Sequence, residues 1–362
     1  MRPPPGFSDG DKVWKLNLCI YGLKQSANEW YALFAKFLTL KDFTASHQDP
    51  GMFIHNKVEC YISLDVDDIA IYSADTPILT TLIKDLKTAF EISDLGEASF
   101  LLGLHITYTS DGIALTQERY IGTILSRFGM ENSNTVSIPL PKGITLTKGI
   151  TEQPKEQVTT YQSMIGSLMY LVTGTRPDLE YMLSFLAQFC SCPNNEHIGA
   201  AKHVFRYVNG TRNLGLFYQY TTRNAIHVYV DTDIAGCHDT RRSTSGYIVL
   251  FNNCCVSWLS RKPHSVAKSA TEAEFVAISY TTRHIRWLLK GLPELRLHVP
   301  IAMHADNTGA NFLAVNPEIN VRTKHIAVDF FITRKALEDN LFVLLKVESV
   351  NNLADISTKI LA

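Results

Sequence analysis

The sequence lacks any hydrophobic run long enough to cross a bilayer without a charge, and it does not open with a signal peptide. We therefore expect no membrane partner and a cytoplasmic or nuclear location. Its seven cysteines include no C-x-x-C pair, which argues against a structural zinc site. Internal repeats and low-complexity tracts are also missing. With 46% hydrophobic residues in 362 positions, the chain can form the cores of two or three domains.

The chain also has little net charge, −1 at pH 7, so composition alone does not indicate a polyanionic partner. The charged residues are unevenly distributed along the chain, however. Residues 222–362 contain 16 basic against 13 acidic side chains, whereas residues 1–221 contain 18 against 22. A nucleic-acid-binding surface needs cations that replace the counterions of the phosphates. The C-terminal portion is therefore better suited to such a partner than the N-terminal portion.

Four carboxylates in the last third of the chain give the strongest indication of function. Asp231 ends the strand-like run HVYVD, and Asp306 ends the run IAMHAD. Glu274 and Asp355 lie in segments predicted to be helical. Acids at strand ends and on helix faces can converge, and four converging carboxylates stay ionised only with cations beside them. Oxygen ligands favour Mg²⁺ or Mn²⁺, and a pair of such ions can promote cleavage of a phosphodiester.

Each acid also has a purely structural interpretation. Glu274 follows Thr271 as T-x-x-E, the pattern of a helix capping box. Asp231 could be a turn residue, and Asp306 could cap the next helix. Asp355 could be a solvated helix acid. Taken one at a time, the acids favour these structural roles, so a metal site is indicated only by the set.

The sequences around the four acids resemble one family. The matching runs are YVDTDIAGC (229–237), DTRRSTSGY (239–247), SW (257–258), SATEAEF (269–275), ADN (305–307), RTKHI (322–326) and LADISTK (353–359). They are similar to the RNase H domain of copia-type LTR retrotransposons and follow the same order. The resemblance implies an RNase H fold in which Asp231, Glu274, Asp306 and Asp355 bind two Mg²⁺ or Mn²⁺ ions. Glu274 is preferred to Glu272 because EFVA at 274–277 matches the family's E-aromatic-x-A step.

Basic side chains near these acids are candidates for contacts with nucleic acid. Arg241 and Arg242 follow the first strand of the domain and could hold a phosphate, with a solvated turn as the alternative. Lys324 and His325 could contact the substrate, although the slightly favoured interpretation is that they only flank the N-terminus of a helix. His304 lies on the same strand face as the acid two positions later. Packing is the favoured role for this histidine because Mg²⁺ prefers oxygen ligands.

The resemblance continues upstream into the reverse transcriptase of the same family. The matching runs include MRPPPGF (1–7), YGLKQS (21–26), WY (30–31), FEISDLGE (90–97), LG (102–103) and TRPD (175–178). This similarity implies that Lys24 and Gln25 help to place the template and the incoming nucleotide. It also implies that Asp67 and Asp68 are the acids of the polymerase hairpin.

Two departures weaken the polymerase interpretation. The family's third polymerase carboxylate lies on a strand upstream of the segment at which this chain begins. The nearby candidates Asp9, Asp11 and Asp49 do not follow a buried strand, and Asp65 occupies the aromatic position of the hairpin. Two-metal nucleotidyl transfer needs ligands on both sides of the ion pair. RNA-directed DNA polymerase activity is therefore predicted to be lost.

Hydrophobic periodicity and turn signals divide the chain into four blocks. Residues 136–160 are predicted to be a linker, and the family resemblance implies a partial α+β reverse-transcriptase palm over 1–135 and a helical thumb or connection over 161–221. Residues 222–362 are predicted to form an RNase H-like mixed sheet with flanking helices, an α/β architecture. The expected elements of this last block are three strands over 226–260, a helix over 271–292, a strand over 301–306, helices over 307–315 and 327–338, a strand over 341–347 and a final helix over 352–360.

The sequence thus predicts a truncated Pol product that hydrolyses the RNA strand of RNA–DNA hybrids by two-metal catalysis. The hybrid is the expected partner, with other Pol or Gag products of the element as further candidates. Recognition is expected to rest on the 2′-OH and on the shape of the hybrid rather than on its bases. The alternative is a decayed, non-catalytic element copy that at most binds nucleic acid.

Overall fold

The computed structural model describes residues 6–7, 13–16, 20, 22–23, 25–149, 153–221, 224–237, 239–263, 266–316 and 327–360. Lys24, Lys324 and His325 lie outside these described residues. Two compact units are present. One contains residues 1–97 with 293–296, and the other contains residues 98–292 with 297–362. The four-block division stays a prediction, because compactness separates the chain only at 97/98 and around the 293–296 segment.

The first unit is built on a four-stranded antiparallel sheet with two helices. Its elements are α1 (Ser26–Thr39), β1 (Phe43–Ala45), β2 (Met52–His55), β3 (Cys60–Asp65), β4 (Asp68–Ser73) and α2 (Thr76–Ala89), with the strands in the order β1-β2-β3-β4. Apolar residues at helical spacing, Phe34 and Leu38 on α1 and Leu82 and Leu86 on α2, bury one side of each helix. Residues 52–73 form two successive antiparallel hairpins, β2–β3 and β3–β4.

The second unit begins with a small sheet and a helical block. These contain β5 (Phe100–Leu101), β6 (Leu104–Tyr108), β7 (Gly112–Thr116), α3 (Glu118–Arg127), α4 (Lys155–Gly174), α5 (Glu180–Ala187), α6 (Asn195–Gly210) and β8 (Leu216–Gln219). The sheet order is β5-β6-β7-β8, so β8 adds a strand to a block for which only helices were predicted. The predicted linker 136–160 also holds structure. Leu140 and Leu146 are buried in the helical core, and α4 starts at Lys155.

The C-terminal part of this unit forms a five-stranded mixed sheet. Its elements are β9 (Ile226–Asp233), β10 (Thr244–Phe251), β11 (Cys254–Arg261), α7 (Ala270–Gly291), β12 (Ile301–Ala305), α8 (Thr308–Val315), α9 (Ala327–Glu338) and β13 (Val343–Lys346). The order is β11-β10-β9-β12-β13. β9 is antiparallel to β10 and parallel to β12, and β12 is parallel to β13. This arrangement confirms the predicted mixed sheet with flanking helices.

The final helix predicted over 352–360 is wrong. A short 3₁₀ turn, Leu353–Ser357, occupies part of this range, and another, Ser349–Asn351, comes just before it. Asn352 lies between them, and its Nδ2 donates a hydrogen bond to the carbonyl oxygen of Val230 at 2.9 Å. Its Oδ1 accepts from the backbone N–H of Ala354 at 3.2 Å. The segment is thus attached to β9 by side-chain hydrogen bonds that compete with a regular helix.

Within the part of the chain that the structure describes, each helix is too short or too polar to cross a bilayer.

Candidate metal centre

Two of the predicted acids meet because neighbouring parallel strands end together. Val230 of β9 is in register with Ala305 of β12. Asp231 and Asp306 follow these two residues directly, so they lie side by side at the carboxyl ends of the strands. Only 4% of Asp231 is exposed, and Asp306 is half-buried. The position of Asp231 inside β9 rules out the turn interpretation.

The helix α7 brings the third acid to the same place. Ser269 caps this helix, because its Oγ accepts a hydrogen bond from the backbone N–H of Glu272 at 3.2 Å. Glu274 therefore is not the capping residue, and its side chain is only 6% exposed. Asp306 is not a cap either, since Asn307 Oδ1 accepts from the N–H of Ala310 at 2.9 Å. The structural alternatives for these two acids are thus excluded.

Asp231, Glu274 and Asp306 form one group in which one carboxylate oxygen from each residue lies within 4.8 Å of the other two. Oε2 of Glu274 is buried and has no hydrogen-bond partner. A buried carboxylate oxygen without a partner costs free energy unless a proton or a cation satisfies it. Because all the donors are carboxylate oxygens, the group fits hard divalent cations such as Mg²⁺ or Mn²⁺.

The electrostatics of the group also favour a cation. Burial, followed by the charges of Asp231 and Asp306, raises the pKa of Glu274 to about 9. Burial likewise raises the pKa of Asp231 to about 6, and the charge of Asp355 adds to this rise. In the absence of positive charge, these acids therefore resist being ionised together. Bound cations would remove that penalty.

Asp355 lies near the group but is not part of it. Its Oδ1 forms an ion pair with Nζ of Lys359 at 2.7 Å. Thr358, in the same segment, donates a hydrogen bond from Oγ1 to Oδ2 of Asp231. Sequence reasoning did not assign roles to Lys359 or Thr358, although both belong to the family-like run LADISTK that was used to choose Asp355.

The predicted nucleic-acid contacts are only partly described. Arg241 and Arg242 lie in the loop between β9 and β10, where Arg241 is exposed and has a φ of +53°. Gln25 is exposed at the start of α1. A contact between these side chains and nucleic acid stays a prediction.

The predicted polymerase acids lie on the β3–β4 hairpin of the first unit. Asp65 pairs with Asp68 across the turn, and Trp30 Nε1 donates to the carbonyl oxygen of Val66 at 2.8 Å. Asp65, Asp67 and Asp68 are all exposed. Among the described residues, the group around Glu274 is the only convergence of three metal-ligating side chains.

Known proteins match the N-terminal part of this chain and also nearly its whole length. The family model for reverse transcriptase (RNA-dependent DNA polymerase) matches residues 1–142. The Pol polyprotein of transposon RE1 from Arabidopsis thaliana is 35% identical over 99% of this chain and 25% of that protein. The polyprotein of transposon TNT 1-94 from Nicotiana tabacum is 34% identical over 99% of this chain and 28% of that protein. The chain thus spans about a quarter of the length of these relatives.

A shorter relative and a solved structure complete the comparison. An uncharacterized mitochondrial protein of Arabidopsis thaliana is 32% identical over 63% of this chain and 93% of its own length. The foamy viral protease–reverse transcriptase in complex with an RNA/DNA hybrid has a TM-score of 0.50 and 17% identity, covering 93% of this chain and 40% of that one. This likeness supports the fold alone. The chain therefore belongs to the copia-type retrotransposon Pol polyproteins, and its residues 1–142 match their reverse transcriptase.

Proposed function

We propose that the C-terminal sheet of this chain hydrolyses the RNA strand of RNA–DNA hybrids. The observation that carries this proposal is the convergence of Asp231, Glu274 and Asp306 around a buried carboxylate oxygen without a partner. An all-oxygen group of this kind is suited to Mg²⁺ or Mn²⁺ and to phosphodiester chemistry. The foamy viral relative was solved with an RNA/DNA hybrid, which motivates the choice of substrate.

The residues have distinct parts in the proposed site. Asp231, Glu274 and Asp306 would hold the ions, and Asp355 would complete the ligand set after separating from Lys359. Two ions bound there supply activation of water and stabilisation of the leaving 3′-oxygen. The backbones of β9, β12 and α7 fix the three acids before substrate binds, so little reorganisation is needed.

A single substitution tests this proposal. Asp306→Asn keeps the shape of the side chain but replaces a charged ligand oxygen by a neutral one. We expect cleavage of a labelled RNA–DNA hybrid in Mg²⁺ to fall by orders of magnitude while the circular dichroism spectrum stays unchanged. Asp339→Asn, an acid that pairs with Lys335 instead, should cut at the wild-type rate. Equal cleavage by the Asp306 variant and the wild type would refute the assignment.

We further propose that the polymerase half is inactive. Asp67 and Asp68 are exposed on their hairpin, and Asp65, which pairs with Asp68 across the turn, is exposed as well. Exposed carboxylates hold ions weakly, because water competes effectively for the same cation. The positions of these acids thus support cleavage, rather than synthesis, as the activity of this chain.

A further inference from the structure

A pair of histidines lies on the mixed sheet outside the carboxylate group. His227 is on β9 and His304 is on the neighbouring parallel strand β12, and both are half-buried. Nδ1 of His227 and Nε2 of His304 are 3.1 Å apart. The register places His304 opposite Tyr229, two residues beyond His227. Both histidines therefore project from the same face of the sheet.

The surroundings limit the movement of the two rings. The imidazole of His304 stacks on the ring of Tyr229 with centroids 4.7 Å apart and an interplanar angle of 16°. The two imidazoles are themselves nearly parallel, at 29°, with centroids 5.4 Å apart. Because both side chains are short and their strands are hydrogen-bonded to each other, the two nitrogens are brought together by the sheet. Sites carried by strands are more rigid than sites carried by loops.

We propose that His227 and His304 form a second metal site, which binds a divalent transition ion that prefers imidazole, such as Ni²⁺, Cu²⁺ or Zn²⁺. Two nitrogens at about 2.0–2.1 Å from one ion stand about 2.8–3.4 Å apart for bond angles between right-angled and tetrahedral. The observed separation of 3.1 Å lies within this interval. Binding would replace the hydrogen bond between these two nitrogens: the donor ring would carry its proton on its other nitrogen, so that both lone pairs could face the ion, with water as the remaining ligands.

This pair is chemically distinct from the proposed Mg²⁺ centre. The carboxylate group of Asp231, Glu274 and Asp306 contains no histidine, and it offers oxygen where the pair offers nitrogen. Soft and borderline transition ions favour imidazole, whereas Mg²⁺ favours carboxylate. An excess of Mg²⁺ should therefore occupy the acids and leave the histidines available. The simpler alternative is a hydrogen-bonded pair that only helps to hold β9 against β12.

The test is calorimetric titration of the full chain with Ni²⁺ in excess Mg²⁺. We expect the affinity of the tightest Ni²⁺ site to fall at least about tenfold in both His227→Asn and His304→Asn. Loss of a residue that merely hydrogen-bonds to a metal ligand commonly lowers metal affinity by that factor. His298→Asn removes an exposed histidine and should leave the affinity unchanged. Asp306→Asn should also leave it unchanged, which separates this site from the catalytic proposal. Equal Ni²⁺ affinity in the wild type and both pair variants would overturn the proposal.

A second measurement covers the case in which a pair variant fails to fold. Paramagnetic Ni²⁺ added to the wild-type chain should broaden the NMR signals of Tyr229 and of the two histidines before those of His298. Broadening that starts at His298, or that is uniform over all histidines, would also overturn the proposal.

Discussion

Lys359 places a positive charge where the proposed site needs a cation. Burial lowers the pKa of this lysine, but the hydrogen bond with Asp355 and the charges of Asp231 and Asp306 outweigh burial and raise it. The ammonium group therefore stays charged and competes with an incoming ion for Asp355. We expect Lys359→Gln to bind Mn²⁺ severalfold more tightly, as measured by electron paramagnetic resonance. Lys335→Gln, in which an exposed pair is lost, is the control, and weaker Mn²⁺ binding by the Lys359 variant would contradict this competition.

The raised pKa of Glu274 predicts an unusual dependence of stability on pH. Burial and the charges of Asp231 and Asp306 raise this pKa from 4.5 to about 9 in the folded chain. A group with a raised pKa contributes its full stability below the unfolded pKa, and the contribution is lost as the pH rises through the folded value. In EDTA, the melting temperature should therefore fall by several degrees between pH 6 and pH 9.

Two comparisons identify the source of that fall. Mg²⁺ should reduce it, because the ion supplies the missing counter-charge. Glu274→Gln should make the melting temperature less dependent on pH over the same interval, since an amide does not ionise. A melting temperature in EDTA that stays constant or rises from pH 6 to pH 9 would show that these acids do not repel each other as described.

Sequence reasoning found the acids but not their immediate partners. Asp231, Glu274 and Asp306 follow local runs that resemble one family, so their convergence could be predicted. The contributions of Thr358 and Lys359 could not be predicted, because they depend on how the C-terminal segment folds back on β9. No periodicity in the sequence encodes a contact across more than 100 residues.

At the scale of elements, long helices and strands were predicted more accurately than short ones. The long helix α7 and the strands β9 to β12 have strong patterns and were predicted within a few residues. β8 was missed because it has four residues and pairs with β7 about 100 positions earlier in the chain. The final helix was predicted wrongly because Asn352 attaches its segment to β9. Tertiary hydrogen bonds here override a weak local preference.

One short element of the helical block depends on a buried ion pair. Arg176 is fully buried, and it binds Asp178 through two hydrogen bonds of 2.8 and 2.9 Å in the turn between α4 and α5. Its guanidinium also donates to Thr211, and Tyr207 donates to Asp178 at 3.0 Å. Asp178→Ala should therefore destabilise the chain by about 3–5 kcal/mol, because it leaves a buried cation unpaired.

Urea unfolding followed by circular dichroism measures this loss. Asp339→Ala, which removes the acid of an exposed ion pair, is the matched control and should have little effect. If the Asp178 and Asp339 variants unfold at the same urea concentration, the buried pair does not support the block.

At the scale of the whole chain, the RNase H-like sheet and the helical block share one compact unit. Trp258 Nε1 of β11 donates to the carbonyl oxygen of Val172 on α4 at 3.1 Å. The backbone N–H of Ser260 donates to Oε1 of Glu180 at 3.0 Å. Each of these two hydrogen bonds joins a residue before the predicted 221/222 boundary to a residue after it. The division into blocks at this position stays a prediction, and these bonds link the two blocks within one compact unit.

The whole chain should cut hybrids but fail to extend a primer. The hairpin places Asp67 and Asp68, with Asp65 opposite Asp68, in solvent, where water competes for any ion that these acids attract. Nucleotidyl transfer needs both ions held from two sides, so one exposed pair is insufficient. With a primer–template, deoxynucleotides and either Mg²⁺ or Mn²⁺, we expect no extension from a preparation that cleaves hybrid. Asp67→Asn should change neither result. Extension by the wild type that disappears in Asp67→Asn would show that another carboxylate completes the site, and the hairpin would then have to be treated as an active polymerase centre.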